Sequence, residues 1–239
     1  RWTDGDKIRF RKGLPQKIGG WTKFSTAYYV GVGRALEQWF GLDGARYEAL
    51  GTDRKVYAYA SGTNQDITPI RATANLVNAF TTTNTTANIT ITDTNHGATL
   101  GDFVTISSSS TAVGGIPAAT LDAEYEILSI TNVDAYIISS NATATSTAGP
   151  TGNCSVSYQL NVGPSVQTFG FGWGSGTWNT GAWNTPRTTS QITLDARLWS
   201  INNWGEDLII TQKDGGTFEW DTSAWQVLQE KKVELPDGH

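Results

Sequence analysis

Two segments of this sequence, residues 34–68 and 197–228, follow the same plan, and this repeat constrains the fold most. Each begins with an Arg and a short strand pattern that ends at an aromatic residue, which is Trp39 in the first segment and Trp199 or Trp204 in the second. A Gly-containing turn, an apolar strand, a polar turn and an alternating aromatic strand follow. Short strands separated by turns in this way are typical of an all-β meander. We therefore predict that each segment forms a small antiparallel sheet.

The recurrence of this unit indicates a β-propeller or a related array, because one such sheet cannot bury both of its faces alone. The alternative interpretation is two unrelated hairpins within one sandwich. A closed propeller takes roughly four to eight blades, so two units cannot close a ring. The sequence also contains no Met. We expect either further blades in a longer chain or a ring that other copies of the chain complete.

The region between the two units differs from them in charge. Residues 1–72 hold 12 Lys and Arg against 7 Asp and Glu, whereas residues 73–165 hold 6 acidic residues and no Lys or Arg. Residues 166–239 hold 5 basic and 9 acidic residues. We therefore predict a first part of a propeller-like domain at 1–72, an inserted Thr-, Ser- and Asn-rich β domain at 73–165, and the continuation of the propeller-like domain at 166–239.

The inserted region is predicted to be a small β-sandwich or barrel, because short alternating patterns recur along it. Residues 125–130 are expected to pair with residues 136–138 in a hairpin. The predicted strands are at residues 88–92, 103–106, 125–130, 136–138 and 156–160.

A glycine- and aromatic-rich segment, residues 169–183 (FGFGWGSGTWNTGAW), precedes the second unit. Its glycines argue against a helix, since each costs about 1 kcal/mol relative to Ala there. Its aromatic residues argue against disorder. We predict an irregular connector that packs against sheet surfaces. The alternative is a platform for stacking sugar rings, formed by Trp173, Trp178 and Trp183.

Residues that usually carry catalysis or metal binding are sparse in the sequence. The histidines are His96 and His239, and the one cysteine is Cys154. The sequence contains neither a Cys/His metal motif nor a nucleophile elbow nor a phosphate-binding glycine loop. We interpret His96 as a turn residue and Cys154 as a buried thiol. We therefore predict a protein that is not an enzyme, with no catalytic, cofactor-binding or metal-binding residues and no cofactor.

Two charged clusters each have a functional and a structural interpretation. Glycosidases use paired carboxylates as catalytic groups. The acidic cluster, however, flanks predicted strands, where acidic residues commonly cap or solvate turns. The basic cluster is either a phosphate-facing patch or the solvated face of an edge strand. We favour the structural interpretation of both. The acidic cluster comprises Glu206, Asp207, Asp214, Glu219 and Asp221, and the basic cluster comprises Lys7, Arg9, Arg11, Lys12 and Lys17.

Several strings in the two flanking regions resemble one protein family. They are residues 8–11 (IRFR), 13–21 (GLPQKIGGW), 42–52 (LDGARYEALGT), 66–69 (DITP), 171–174 (FGWG) with Trp178, 198–200 (LWS) and 203–208 (NWGEDL). Over about 1–72 and 166–228 the chain resembles the tail hub, or nozzle, proteins of short-tailed bacteriophages, of the packaged-DNA stabilisation type. The inserted region matches only as the kind of extra β domain that phage structural proteins carry. Members of this family are usually much longer.

The resemblance implies a virion structural protein of a phage tail that contains a β-propeller and assembles as a homo-oligomeric ring below the portal. Such a ring helps to retain packaged DNA and forms its exit channel. The implied partners are portal or adaptor proteins, other tail proteins, and double-stranded DNA that passes without sequence specificity. An acidic conduit suits this role because it repels DNA phosphates. The alternatives are a carbohydrate-binding or glycan-cleaving β-propeller and a cell-surface adhesion module.

The sequence contains no run of 18 apolar residues, so it predicts no membrane-spanning helix.

Overall fold

A computed structural model of the protein describes residues 7–20, 28–42, 44–60, 62–165, 196–213 and 215–222. The described residues form antiparallel sheets and one short helix. In chain order the elements are β1 (Ile8–Arg11), β2 (Leu14–Lys17), β3 (Gly33–Phe40), β4 (Arg46–Thr52), β5 (Val56–Ala60), β6 (Thr63–Asp66), β7 (Ile70–Leu76), β8 (Phe80–Thr82), β9 (Asn88–Thr92), β10 (Phe103–Ser107), α1 (Ala118–Leu121), β11 (Glu124–Glu126), β12 (Ser129–Asn132), β13 (Ala135–Ser139), β14 (Ala148–Thr151), β15 (Cys154–Gln159), β16 (Trp199–Trp204), β17 (Asp207–Gln212) and β18 (Thr217–Trp220).

The two repeated segments form sheets of the same topology. The first sheet is a four-stranded meander in the order β3-β4-β5-β6, and the second sheet is a meander in the order β16-β17-β18. Neighbouring strands in both are antiparallel and joined by short turns. Residues 223–228, at the end of the second segment, lie outside the described residues. Within the described part, each unit therefore forms the small antiparallel sheet that its pattern predicts.

The strand register shows which residues of the two sheets are equivalent. The pairing of the second strand with the third ends at Gly51 in the first sheet and at Thr211 in the second. Trp39 pairs with Tyr47, which lies four residues before Gly51, and Trp204 pairs with Asp207, which lies four residues before Thr211. Trp204, and not Trp199, is therefore the equivalent of Trp39, which settles the alternative that the sequence leaves open.

The first and second sheets pack face to face around a shared apolar core. Trp39 from β3 meets Trp220 from β18 edge to face, with 6.4 Å between ring centroids. Such aromatic pairs bury large areas and contribute beyond that burial. The core is formed by Trp39, Ala49, Val56, Ala58, Ile67, Trp199, Leu208, Ile210 and Trp220.

Two indole groups fix the position of one sheet on the other. Trp39 Nε1 donates to the carbonyl oxygen of Glu206 in the second sheet at 2.9 Å. Trp199 Nε1 donates in the opposite direction, to the carbonyl oxygen of Thr52 at 2.5 Å. Trp199 fits there because Gly51 has no side chain; a Cβ at that position would lie 2.8 Å from Trp199 Cδ1. Each sheet thus satisfies a buried indole N–H with the backbone of the other.

Residues 70–159 form a sandwich of two antiparallel sheets. One sheet has the order β11-β10-β15-β7, and the other has the order β12-β13-β9-β8-β14. Both contribute to one apolar core, which includes Phe80, Ile89, Ile106, Tyr136 and Tyr158. This agrees with the sandwich form of the prediction, and the sheets of the described residues do not close into a barrel.

The predicted hairpin between residues 125–130 and 136–138 is wrong in its first half. β11 pairs with β10, and only β12 pairs with β13. The chain changes sheets at Ile127, whose N–H donates to the carbonyl oxygen of Asp102, while the N–H of Leu128 donates to that of Ile137. The apolar pattern is continuous through this point because Ile127 is fully buried between the sheets. Alternation alone therefore cannot reveal the crossing.

The all-β prediction is confirmed, whereas the propeller and the division at 73 and 166 stay predictions. β7 begins just before the composition boundary at residue 73. The connector at residues 169–183 lies outside the described residues. Among the helices of the described residues, none is long and apolar enough to cross a membrane.

Candidate functional site

A polar junction joins the first sheet to the sandwich, and Lys55 lies at its centre. Lys55 Nζ donates to Asp66 Oδ2 at 2.7 Å and to Glu124 Oε2 at 2.6 Å. Asp66 belongs to β6 of the first sheet, and Glu124 belongs to β11 of the sandwich. The lysine side chain is 2% exposed, against 28% and 37% for the two carboxylates. One buried cation therefore holds a carboxylate from each side.

Other side chains enclose this ion pair. Gln159 Nε2 donates to the same two carboxylates, at 3.1 Å and 2.8 Å. Lys55 Nζ lies 4.2 Å from the centroid of the Phe103 ring, within the range of a cation–π attraction. A second ion pair, from Arg54 to Glu126 at 2.6 Å, crosses the same boundary. The polar junction thus consists of Arg54, Lys55, Asp66, Glu124, Glu126 and Gln159, with Phe103 beside them.

The chemistry of Lys55 is that of a structural cation. Burial lowers its pKa, but the charges and hydrogen bonds of Asp66 and Glu124 outweigh burial and hold the pKa above its usual 10.5. The amine is therefore protonated at neutral pH, whereas a nucleophilic lysine needs a depressed pKa. The polar junction fixes the sandwich on the first sheet and provides no free amine.

The outer face of the first sheet is the side of β3 and β4 that points away from the second sheet, together with the turn that joins these strands. Leu36 and Phe40 lie on this face and are 64% and 65% exposed, and Leu42 in the turn is also exposed. At the end of this face that is farthest from the turn, the ring of Tyr29 packs on Tyr57, with 5.1 Å between the ring centroids. Large apolar side chains therefore remain in solvent along β3.

The outer face of the second sheet carries a different set of groups. It is the side of β16–β18 that points away from the first sheet, and Trp204 lies on it, 75% exposed. Asp207 and Glu219 share this side, and the described residues of β16–β18 include no Lys or Arg. This face thus carries acidic and polar groups around one exposed indole, with the half-buried Ile209 among them.

His96 has a structural role in the sandwich. Its buried ring accepts the Ala98 N–H at Nδ1 at 3.0 Å, and Nε2 lies 3.2 Å from the carbonyl oxygen of Asn132, to which it donates. The ring also meets Tyr136 edge to face at 5.1 Å. Both nitrogens are occupied, which agrees with the interpretation as a turn residue. A shallow pocket of about 330 Å³ lies beside it, lined by Asn95, His96, Gly97, Ala98, Ile130 and Val133.

Cys154 is buried in the sandwich core, and burial together with the nearby Asp122 and Asp93 raises the pKa of its thiol to about 11. Near pH 8, about one such thiol in a thousand is ionised, and the thiolate is the reactive form. We expect the folded protein not to react with a thiol reagent such as DTNB near pH 8, and to react fully once unfolded in guanidinium. Rapid labelling of the folded protein would contradict this expectation.

The acidic cluster is dispersed over structural positions. Glu206 Oε1 accepts the Leu42 N–H at 2.6 Å, and Asp207 Oδ1 accepts the Thr222 N–H at 3.1 Å. Both carboxylates therefore hold backbone groups at sheet ends, as the structural interpretation predicts. Glu219 lies in β18, Asp221 follows that strand, and Asp214 lies outside the described residues.

The basic cluster lies in and around the two-stranded sheet of β1 and β2. Its five members are all exposed, and β1 pairs with β2 from Ile8–Lys17 to Arg11–Leu14. These residues therefore form a solvated strand pair. Trp173, Trp178 and Trp183, the predicted stacking platform, lie outside the described residues.

Across the described ranges, no group of three or more His, Cys, Asp and Glu residues has the geometry to hold a metal ion.

Comparisons with known proteins show little similarity between this chain and other proteins. No family model matches the chain, and no curated protein matches it. Among solved structures, the chain is similar to "Phage phi92 endosialidase" with 14% sequence identity and a TM-score of 0.32. The match covers 83% of this chain and 36% of that protein, so the chain spans little more than a third of its length. A likeness of this size does not assign a family.

Proposed function

We propose that this protein is a non-enzymatic structural subunit of a phage tail, which assembles with copies of itself into a ring below the portal. The ring helps to retain packaged DNA and forms its exit channel. The proposal is supported by the nozzle-like sequence strings in the two flanking regions. The structural observation that carries it is the outer face of the first sheet, where Leu36, Phe40 and Leu42 are exposed on a sheet whose other face is packed.

An exposed apolar surface beside a packed core is typical of a protein-interaction site. A meander sheet buries its two faces by stacking on neighbours. The second sheet covers one face of the first sheet, and Leu36 and Phe40 remain on the other. Assembly with further sheets removes this apolar area from water, at about 25 cal/mol per Å².

The polar junction also supports a scaffolding role. It joins the sandwich to the first sheet through two ion pairs, Arg54 to Glu126 and Lys55 to Glu124, and through the hydrogen bond from Gln159 to Asp66. Breaking a buried pair of this kind is strongly unfavourable, so the sandwich is held in a defined position. Because residues 73–165 contain no Lys or Arg, this part lacks the cationic side chains that give tight, salt-sensitive binding to DNA phosphates. Both properties suit a rigid body past which DNA moves.

Assembly and DNA passage are tested on the purified chain. Light scattering coupled to gel filtration over a wide concentration range, followed by negative-stain electron microscopy, is expected to show closed rings. An electrophoretic mobility shift assay at low salt is expected to show no stable complex with double-stranded DNA. A monodisperse monomer at every concentration, or tight DNA binding, would overturn the proposal.

The carbohydrate-binding or glycan-cleaving alternative rests on the predicted Trp platform, which lies outside the described residues. A glycan array tests it directly. Binding that Trp178→Ala abolishes would support the alternative and count against the tail proposal.

A further inference from the structure

The two sheets within the chain stack head to tail, as their register shows. Leu36 pairs with Leu50 in the first sheet, and the equivalent pair in the second sheet is Ile201 with Ile210. Ile210 lies in the shared core and Ile201 packs against it, so this side of the second sheet faces the first. The equivalent side of the first sheet, with Leu36, faces solvent. The sheets therefore contact each other through two different faces.

Trp39 and Trp204, which lie on the other side of each sheet, also show that the sheets stack head to tail. Trp39 is 4% exposed and points from the first sheet towards the second, where it donates to the turn that contains Glu206. Its equivalent, Trp204, points away from the first sheet and is exposed. The second sheet thus receives the Trp39 indole on its inner side and carries Trp204 on its outer side, whereas the first sheet carries Trp39 on its inner side, and its outer face is the equivalent of the receiving side. Stacking the two sheets leaves one side of each kind unused.

We propose that the outer face of the second sheet of one copy docks on the outer face of the first sheet of a second copy, repeating the contact that the two sheets make within one chain. In this contact, the Trp204 indole N–H donates to a carbonyl of the turn between β3 and β4 of the next copy, as Trp39 donates to Glu206. The inference specifies the ring contact of the proposed function and rests on it. Head-to-tail contacts of this type generate closed rings or filaments.

The charges at the two faces agree with this pairing. Asp207 lies beside Trp204, and Arg46 flanks the turn that Trp204 contacts in the next copy. Arg46 is exposed and bonded to Gln38 Oε1 at 3.1 Å, and Glu48 lies further along the same face. The docked arrangement therefore brings a guanidinium to the acidic end of the outer face of the second sheet. Opposite charges of this kind favour one orientation over others.

Two single variants and their mixture test the proposal. Leu36→Glu places a charge on the outer face of the first sheet, and Trp204→Glu removes the indole from that of the second. Both positions are exposed, so each variant is expected to keep the fold, which circular dichroism checks. Light scattering is expected to show monomers for each variant alone. A mixture is expected to form one-to-one dimers, because each variant keeps the face that the other has lost.

Val77→Glu is the matched control, since Val77 is an exposed apolar residue of the sandwich; this variant is expected to assemble as the unmodified chain does. If either single variant still assembles like the unmodified chain, or if the mixture stays monomeric, the docking proposal is wrong while ring assembly itself stands. If the unmodified chain is monomeric at every concentration, both the docking proposal and the proposed function fail.

Discussion

Replacing Lys55 with Met is expected to lower the free energy of unfolding by about 3 kcal/mol, because the change leaves two carboxylates side by side without their shared cation. Asp66 and Glu124 are partly exposed, so water compensates some of the loss. This places the effect at the lower end of the range for a broken buried pair. Urea denaturation followed by circular dichroism measures it.

Lys17→Met is the control for the lost charge, since Lys17 is exposed in β2. A change of less than about 0.5 kcal/mol is expected there. The double variant Lys55→Met with Glu124→Gln is expected to be more stable than Lys55→Met alone, because it removes one of the uncompensated charges. Equal, small effects of Lys55→Met and Lys17→Met would show that the polar junction does not stabilise the fold.

The pH dependence of this effect follows from the raised pKa of Lys55. A basic group whose pKa is higher in the folded state contributes stability that is fully present below its usual 10.5 and is lost as the pH rises through the folded-state pKa. The difference between the unmodified chain and Lys55→Met should therefore be constant near neutral pH and shrink only above about pH 10.5. A difference that shrinks near neutral pH would contradict the assignment.

Replacing Trp199 with Ala is expected to cost about 3–5 kcal/mol, the usual range for a buried tryptophan. The change empties the space over Gly51 and leaves the carbonyl oxygen of Thr52 without its indole donor. Because Trp199 lies between the two sheets, the loss acts on the contact that holds them together. Urea denaturation followed by circular dichroism measures the change, at a concentration low enough to keep the chain monomeric.

Trp204→Ala provides the matched control, since it removes the same side chain from the other end and opposite side of the same strand. Trp204 is exposed within one chain, so its loss is expected to change the stability of the monomer by less than about 0.5 kcal/mol. Similar losses for the two variants would show that the sheets do not share the core described above.

The repeat could be found in the sequence because its signals are local: each strand alternates, and each turn contains Gly or polar residues. The sequence could not decide between Trp199 and Trp204 as the equivalent of Trp39, because that choice depends on strand register. The two candidates lie on opposite sides of β16, one buried and one exposed. Register is set by pairing across strands, which a single strand's pattern does not show.

The sequence does not predict the polar junction, because the residues that form it are far apart in the chain. Lys55 follows Arg54 in a polar turn, where such residues are ordinarily solvated. Its partner Glu124, and Gln159, which donates to both carboxylates of the ion pair, belong to strands that are distant in the chain. The one local signal was the acidic character of residues 73–165, which indicated a different body without showing what it would contact.

The chain enters and leaves the sandwich at neighbouring points, and this limits which other domains could occupy the same place. β7 enters the sandwich and β15 leaves it as neighbours in one sheet, and the Leu160 N–H donates to the carbonyl oxygen of Pro69 at 2.9 Å. Loops accept inserted domains whose termini lie side by side, as these do. Another domain in this place would have to supply carboxylates for both Lys55 and Arg54, which Glu124 and Glu126 now provide.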